Sequence, residues 1–139
     1  EIELALNRIR EKSQKGRKMI EKLEKSSKTI NISLSYDNES FTAHGFFTEE
    51  VNIDMNQILD YDYLTNDPNI PSCPLTVERV LAHELFHAFN GMAEYVISRE
   101  TVESTAIRHT NAIMKEIDNN SVNRIEDHRS LKKKERILK

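Results

Sequence analysis

The run Leu81-Ala82-His83-Glu84-Leu85-Phe86-His87-Ala88-Phe89-Asn90 carries a His-Glu-x-x-His pattern at His83, Glu84 and His87. An α-helix turns once every ~3.6 residues, so positions four apart stand on one face, one turn from each other. Two imidazoles placed that way can aim nitrogens at one tetrahedral metal ion, and the Glu84 carboxylate can reach a water held on it. The flanking residues predict a buried helix. Val80, Leu81, Leu85, Ala88 and Phe89 form an apolar stripe, and Ala82 and Ala88 leave room for close packing. Thr76 is the expected N-cap, with Arg79 rather than glutamate at the capping-box position, and Asn90-Gly91 supplies the stop. A helix this apolar does not enclose two histidines and a glutamate without partners, because unpaired buried polar groups are costly.

Hydrolytic zinc has three protein ligands and one open position. The third ligand must come from outside this helix, and Glu94, Glu100, Glu103 and His109 are the candidates. Glu103 is preferred, because Ala106 three residues on lets a second helix approach the first closely. Glu100, one turn earlier, is its main rival, and His109 fits better as an outer or transition-state group. With zinc in place the expected chemistry is peptide hydrolysis. Glu84 takes a proton from the attacking water and passes it to the leaving amine. The developing oxyanion needs a further donor. Tyr95, His109, Arg108, Tyr61 and Tyr63 are candidates among which the sequence does not choose.

The remaining chain predicts the scaffold. The 139 residues fit one domain with a core large enough to fold unaided. Residues 1–28 read as helix, with Ile2, Leu6, Ile9, Met19, Ile20 and Leu23 on the apolar face and Gly16 as the expected interruption. Thr29 to Tyr36 alternates with period two and predicts a strand. A second β region runs from Phe41 through Phe47, and Val51 to Met55 predicts another strand. That last strand is also the candidate edge for pairing with extended substrate. Asp60 to Pro74, rich in Asp, Asn and Pro, reads as a long loop beside the central helix. A helix capped by Ser98 or Thr101 follows, holding Glu103, Ala106, Ile107, Ile113, Met114 and Ile117. Residues 118–139 read as loop and frayed helix. The fold class is therefore α+β: a compact domain whose small mixed sheet packs on the His-Glu-x-x-His helix and a following glutamate-bearing helix.

Composition removes several function classes. Twenty Lys and Arg against 23 Asp and Glu give a net charge of −3, which offers no electrostatic case for nucleic acid. The basic end, Lys132, Lys133, Lys134, Arg136 and Lys139, reads as a solvated tail. The one cysteine, Cys73, excludes an internal disulfide. Charged residues make up 31 % of the chain, and no apolar run is long enough for a membrane span. No signal-peptide pattern is visible, and the chain begins at Glu1 rather than methionine, so this absence excludes nothing.

The order of motifs resembles the bacterial type III secreted effector zinc metallopeptidases that cleave host MAP kinases. The resemblance starts at Gly16-Arg17-Lys18-Met19-Ile20-Glu21-Lys22-Leu23 and the Ile30-Asn31-Ile32 strand. It continues through Leu81 to Ala88 and ends in Glu103 to Glu116, with Thr110-Asn111-Ala112-Ile113-Met114-Lys115-Glu116. It implies a gluzincin-like fold, zinc as cofactor, and His83, His87 and Glu103 as its ligands. It further implies Glu84 as catalytic acid and base, delivery into a host cell, and a folded host signalling protein as substrate. The family tends to show a glycine soon after the third ligand and a later Glu-Asn pair; Ala106 and Thr110-Asn111 stand there instead. The alternatives are an inactive zincin-like binding module, against which the intact Glu84 weighs, and a bacterial regulatory peptidase acting on a cytoplasmic partner. A helical DNA- or scaffold-binding protein with a chance motif is disfavoured by the net acidity.

Overall fold

The computed structural model describes residues 1–134; Arg136 and Lys139 of the expected basic tail lie outside them. The elements run α1 (Ile2–Lys12), α2 (Gln14–Lys25), β1 (Thr29–Ser35), β2 (Phe41–His44), β3 (Thr48–Asp54), α3 (Met55–Asp60), β4 (Tyr61–Leu64), β5 (Ser72–Pro74), α4 (Val77–Asn90), α5 (Arg99–Ile117) and β6 (Leu131–Lys133). A 3-10 turn, Gly91–Val96, joins α4 to α5.

The predicted central helix is α4. The Thr76 side chain caps it by accepting from the Arg79 N–H at 3.2 Å. Gly91 ends it at φ 61°, a conformation open to glycine at little cost. All residues from Arg79 to Ala88 are buried, because α1, α2 and α5 together with β2 and β3 pack around α4. Ala106, fully buried, sits in the α5 face of this core.

The N-terminal helix breaks at Ser13, not at Gly16 as expected. Ser13 is extended (φ −124°, ψ 119°), and its hydroxyl caps α2 by accepting from the Gly16 N–H at 2.9 Å. Gly16 serves packing instead. A Cβ there would stand 2.5 Å from Ile9 Cγ2, so glycine lets α1 and α2 cross closely.

β1, β3 and β2 form one sheet in that order, β1 parallel and β2 antiparallel to β3. This corrects the substrate-edge expectation. β3, which begins at Thr48 and contains Val51 to Asp54, is flanked on both sides and is interior, and the strand along the cleft is β2. The expected loop from Asp60 to Pro74 is corrected, since β4 and β5 lie within it, and Leu131–Lys133 of the expected tail forms β6. β4 takes β5 on one side and β6 on the other, both antiparallel, in a second sheet. Each strand spans three or four residues, and β6 pairs with β4 from the far end of the chain, so alternation within the strand could not reveal it.

A buried latch fastens this second sheet to the helices. Asn111 of α5 accepts at Oδ1 from Arg79 Nη1 (2.8 Å) and from the Arg124 N–H (2.9 Å), and its Nδ2 donates to the Arg124 carbonyl (2.9 Å). Arg79 also lies over the Tyr63 ring at 4.1 Å. Asn111→Ala leaves a buried guanidinium short of a partner and two backbone groups unpaired. It should lower unfolding free energy by ~2–4 kcal/mol. Urea unfolding at unchanged m-value checks this, and a loss within ~0.5 kcal/mol would show that the segment is held otherwise.

Candidate metal centre

Three side chains from two helices converge at the floor of a cleft of about 600 Å³. α4 brings His83 and His87 to the same face, with their Nε2 atoms 3.2 Å apart. α5 brings Glu103 across, with Oε2 at 3.3 Å from His83 Nε2 and Oε1 at 3.1 Å from His87 Nε2. This is the one group of three His, Cys, Asp or Glu ligand atoms found within 4.8 Å of one another among the described residues. Bonds of 2.0–2.1 Å to a tetrahedral zinc ion separate neighbouring donors by about 3.3 Å. The spacing and the two-nitrogen, one-carboxylate donor set therefore fit zinc.

The rival residues stand elsewhere. Glu100 is exposed on a different face, near Arg129. His109 stacks on Phe86 with ring centroids 4.4 Å apart, and burial followed by the nearby Lys15 lowers its pKa. Glu94 accepts from His87 Nδ1 at 2.8 Å and so touches a cluster member from outside. Arg108 pairs with Glu126 on the surface. The Tyr63 hydroxyl donates to the Val122 carbonyl, and Tyr61 pairs with Lys133 in the second sheet. Of the proposed oxyanion donors, Tyr95 alone lines the cleft, and it is largely exposed.

Glu84 is buried beside the cluster. Burial raises its pKa, against the lowering by His83, His87 and the Thr42 hydroxyl. Thr42 Oγ1 lies 2.9 Å from both Glu84 Oε1 and the Glu84 carbonyl, which fixes one carboxylate oxygen toward β2. Glu103 is lowered: burial is outweighed by hydrogen bonds from His83 and His87.

Sequence reading missed three cleft residues that matter to the site, Thr42, His44 and Arg124. The Arg124 Nε donates to Ser130 Oγ at 2.7 Å and Nη2 to the His128 carbonyl at 3.2 Å. Burial pulls Arg124 down to about 10, while Glu103 and Glu84 hold it up. It is thus a buried cation in the cleft wall, within electrostatic reach of both carboxylates. A single Thr or His in a strand and a single Arg in a loop carry no spacing signature, so no sequence signal was available for any of them.

Among the described residues no helix is long and apolar enough to cross a membrane. No curated protein matches the chain, and no solved structure does. One family model does match, that of the M91 peptidases, described as effector protein, over residues 1–136. With nearly the whole length covered, the chain belongs to the M91 peptidase family of effector proteins.

Proposed function

We propose that this protein is a zinc-dependent endopeptidase with a zincin-like fold. It is delivered by a bacterium into a host cell and cleaves a host signalling protein, a MAP kinase being the substrate that the family resemblance favours. The observation that carries the reading is the cluster of His83, His87 and Glu103, in which the two Nε2 atoms lie 3.2 Å apart and each faces one Glu103 carboxylate oxygen at 3.1 to 3.3 Å, beside the buried Glu84.

Zinc, when bound, supplies Lewis acidity to water and to the scissile carbonyl. His83, His87 and Glu103 hold it. Glu84 does the proton work: its raised pKa suits a group that takes a proton from the attacking water and returns it to the leaving amine. Thr42 turns the Glu84 carboxylate so that the other oxygen, Oε2, serves as the base. Arg124 and Tyr95 supply cation and hydroxyl donors in the cleft for the charge that develops on the carbonyl oxygen. The outer edge of β2 offers main-chain groups to an extended polypeptide, which binds a substrate backbone with little regard to side chains.

The test is metal analysis joined to proteolysis. The protein should carry one zinc per chain and cleave unfolded casein, with activity lost on chelation and restored by zinc. Stoichiometric zinc without cleavage of any polypeptide would favour the binding-module reading.

The metal's contribution to stability should depend on pH. In the metal-free protein burial pulls His87 down, but hydrogen bonds to Glu103 and Glu94 prevail and push it up to about 10. Its proton therefore supports the fold fully below pH 6.5, the ordinary imidazole value, and that support fades as pH rises through about 10. Glu103, lowered, supports the fold above the ordinary carboxylate value and loses this effect on acidification. Zinc needs neutral imidazole, so it must displace the His87 proton. The rise in Tm on adding saturating zinc should be larger at pH 8 than at pH 6 in calorimetry of chelator-stripped protein. Equal increments would contradict this.

A further inference from the structure

Behind His87 runs a chain of histidine and carboxylate side chains, ending on a lysine, that the hydrolytic chemistry does not use. His87 Nδ1 donates to Glu94 Oε2 at 2.8 Å, and Glu94 Oε1 accepts from His44 Nε2 at 2.9 Å. His44 Nδ1 in turn donates to Glu49 Oε1, and Glu49 Oε2 accepts from Lys28 Nζ at 2.7 Å. Both ring nitrogens of His44 face carboxylate oxygens. Both oxygens of Glu94 and of Glu49 are likewise taken, and Asn90 Nδ2 adds a further donor to Glu94 at 3.0 Å. Neither Glu94, His44 nor Glu49 can rotate without breaking a bond on each side.

The members come from separate elements. Lys28 lies between α2 and β1, Glu49 on β3, His44 at the end of β2, Glu94 in the turn after α4 and His87 on α4. Glu49 is fully buried, which a carboxylate tolerates only when paired. Gly91 lies beside the last pair: a Cβ there would stand in ordinary contact, 3.6 Å from Lys28 Nζ and 3.8 Å from Glu49 Oε2. His83 contrasts with His87, since its Nδ1 is buried with no hydrogen-bond partner. One imidazole of the cluster is braced through four further residues, and the other is not.

We propose that His44, Glu49 and Lys28 are positioning residues that act through Glu94 to hold His87 in the tautomer and orientation zinc ligation requires. The proposal rests on the zinc reading above. Partners behind a metal-bound histidine typically carry 10–100-fold of metal affinity, because they set which nitrogen holds the proton and raise ligand basicity. Here the partner of the partner is itself buried and saturated, so the bracing extends to the far side of the sheet.

The experiment is zinc affinity by competition with a chromogenic chelator, using the full chain and His44→Gln, Glu49→Gln, Lys28→Met and the His44→Gln/Glu49→Gln double variant. Asn52→Ala, another buried polar change on β3 but off the chain of contacts, is the control. Thermal melts verify that each protein is folded at the assay temperature. His44→Gln and Glu49→Gln should each weaken zinc by roughly 10–100-fold. Lys28→Met should cost a few-fold, since its ammonium is partly solvated. The double variant should be no weaker than the worse single one, because the residues act in series, and Asn52→Ala should leave affinity unchanged. If Glu49→Gln is unfolded, His44→Gln and Lys28→Met still decide. NMR of zinc-loaded wild-type protein must also show a slowly exchanging His87 Nδ1 proton. Unchanged affinity in folded His44→Gln, or losses that add in the double variant, would overturn the proposal while leaving the zinc site intact. A wild-type protein that binds no zinc would overturn both.

Discussion

Glu84→Gln should lower kcat for cleavage of any susceptible polypeptide by roughly 10²–10⁴-fold, the usual weight of a positioned acid–base group, and leave zinc content unchanged. Glutamine keeps the shape of the side chain and an oxygen that can accept from Thr42, now 2.9 Å from Glu84 Oε1. The amide cannot take up a proton. KM should move little, because the lost interaction is made in the transition state. Burial makes the exchange tolerable for the fold, since a neutral amide is easier to bury than a carboxylate whose pKa burial already raises. Steady-state kinetics on casein with parallel metal analysis distinguishes the outcomes. A variant that cleaves at the wild-type rate would show that another group handles the proton.

Glu103→Ala should weaken zinc by more than about a hundredfold, beyond the range typical of an outer partner. Glu103 is the one member of the cluster that α4 does not supply, and it contacts both His83 Nε2 (3.3 Å) and His87 Nε2 (3.1 Å). Without it the facing His83 and His87 nitrogens lose the carboxylate that both contact. Glu103 is the first of the groups that raise the His87 pKa, so that pKa should fall below about 10 while Glu94 still holds Nδ1. The paired control is Glu100→Ala, the rival ligand from sequence, which is exposed and should leave zinc binding as it was. Isothermal titration of both variants settles the assignment: equal affinities, or loss in the Glu100 variant, would contradict it.

What the sequence made legible follows from the range of each interaction. α4 was readable because one helix carries both its apolar stripe and the His83, Glu84 and His87 spacing. Glu103 was readable through Ala106, whose small side chain marks a close helix contact. Gly16 was misread because a helix-breaking residue and a close-packing residue look alike until the neighbour is known, and here the neighbour is Ile9. Strands β4, β5 and β6 escaped notice because three or four residues hold too little alternation, and their pairing joins Tyr63 to Leu131 across the chain. His44, Thr42 and Arg124 were invisible for the same reason. Thr42 and His44 reach the cleft from β2 and Arg124 from the segment after α5, and their relation exists only once these have packed against α4.

The most direct measurement is a crystal structure of the zinc-loaded protein with anomalous data collected at the zinc edge. The account predicts one strong peak per chain about 2.0–2.1 Å from His83 Nε2, His87 Nε2 and a Glu103 carboxylate oxygen, with its fourth position toward Glu84. A peak held by other residues, or none between these three side chains, would contradict it.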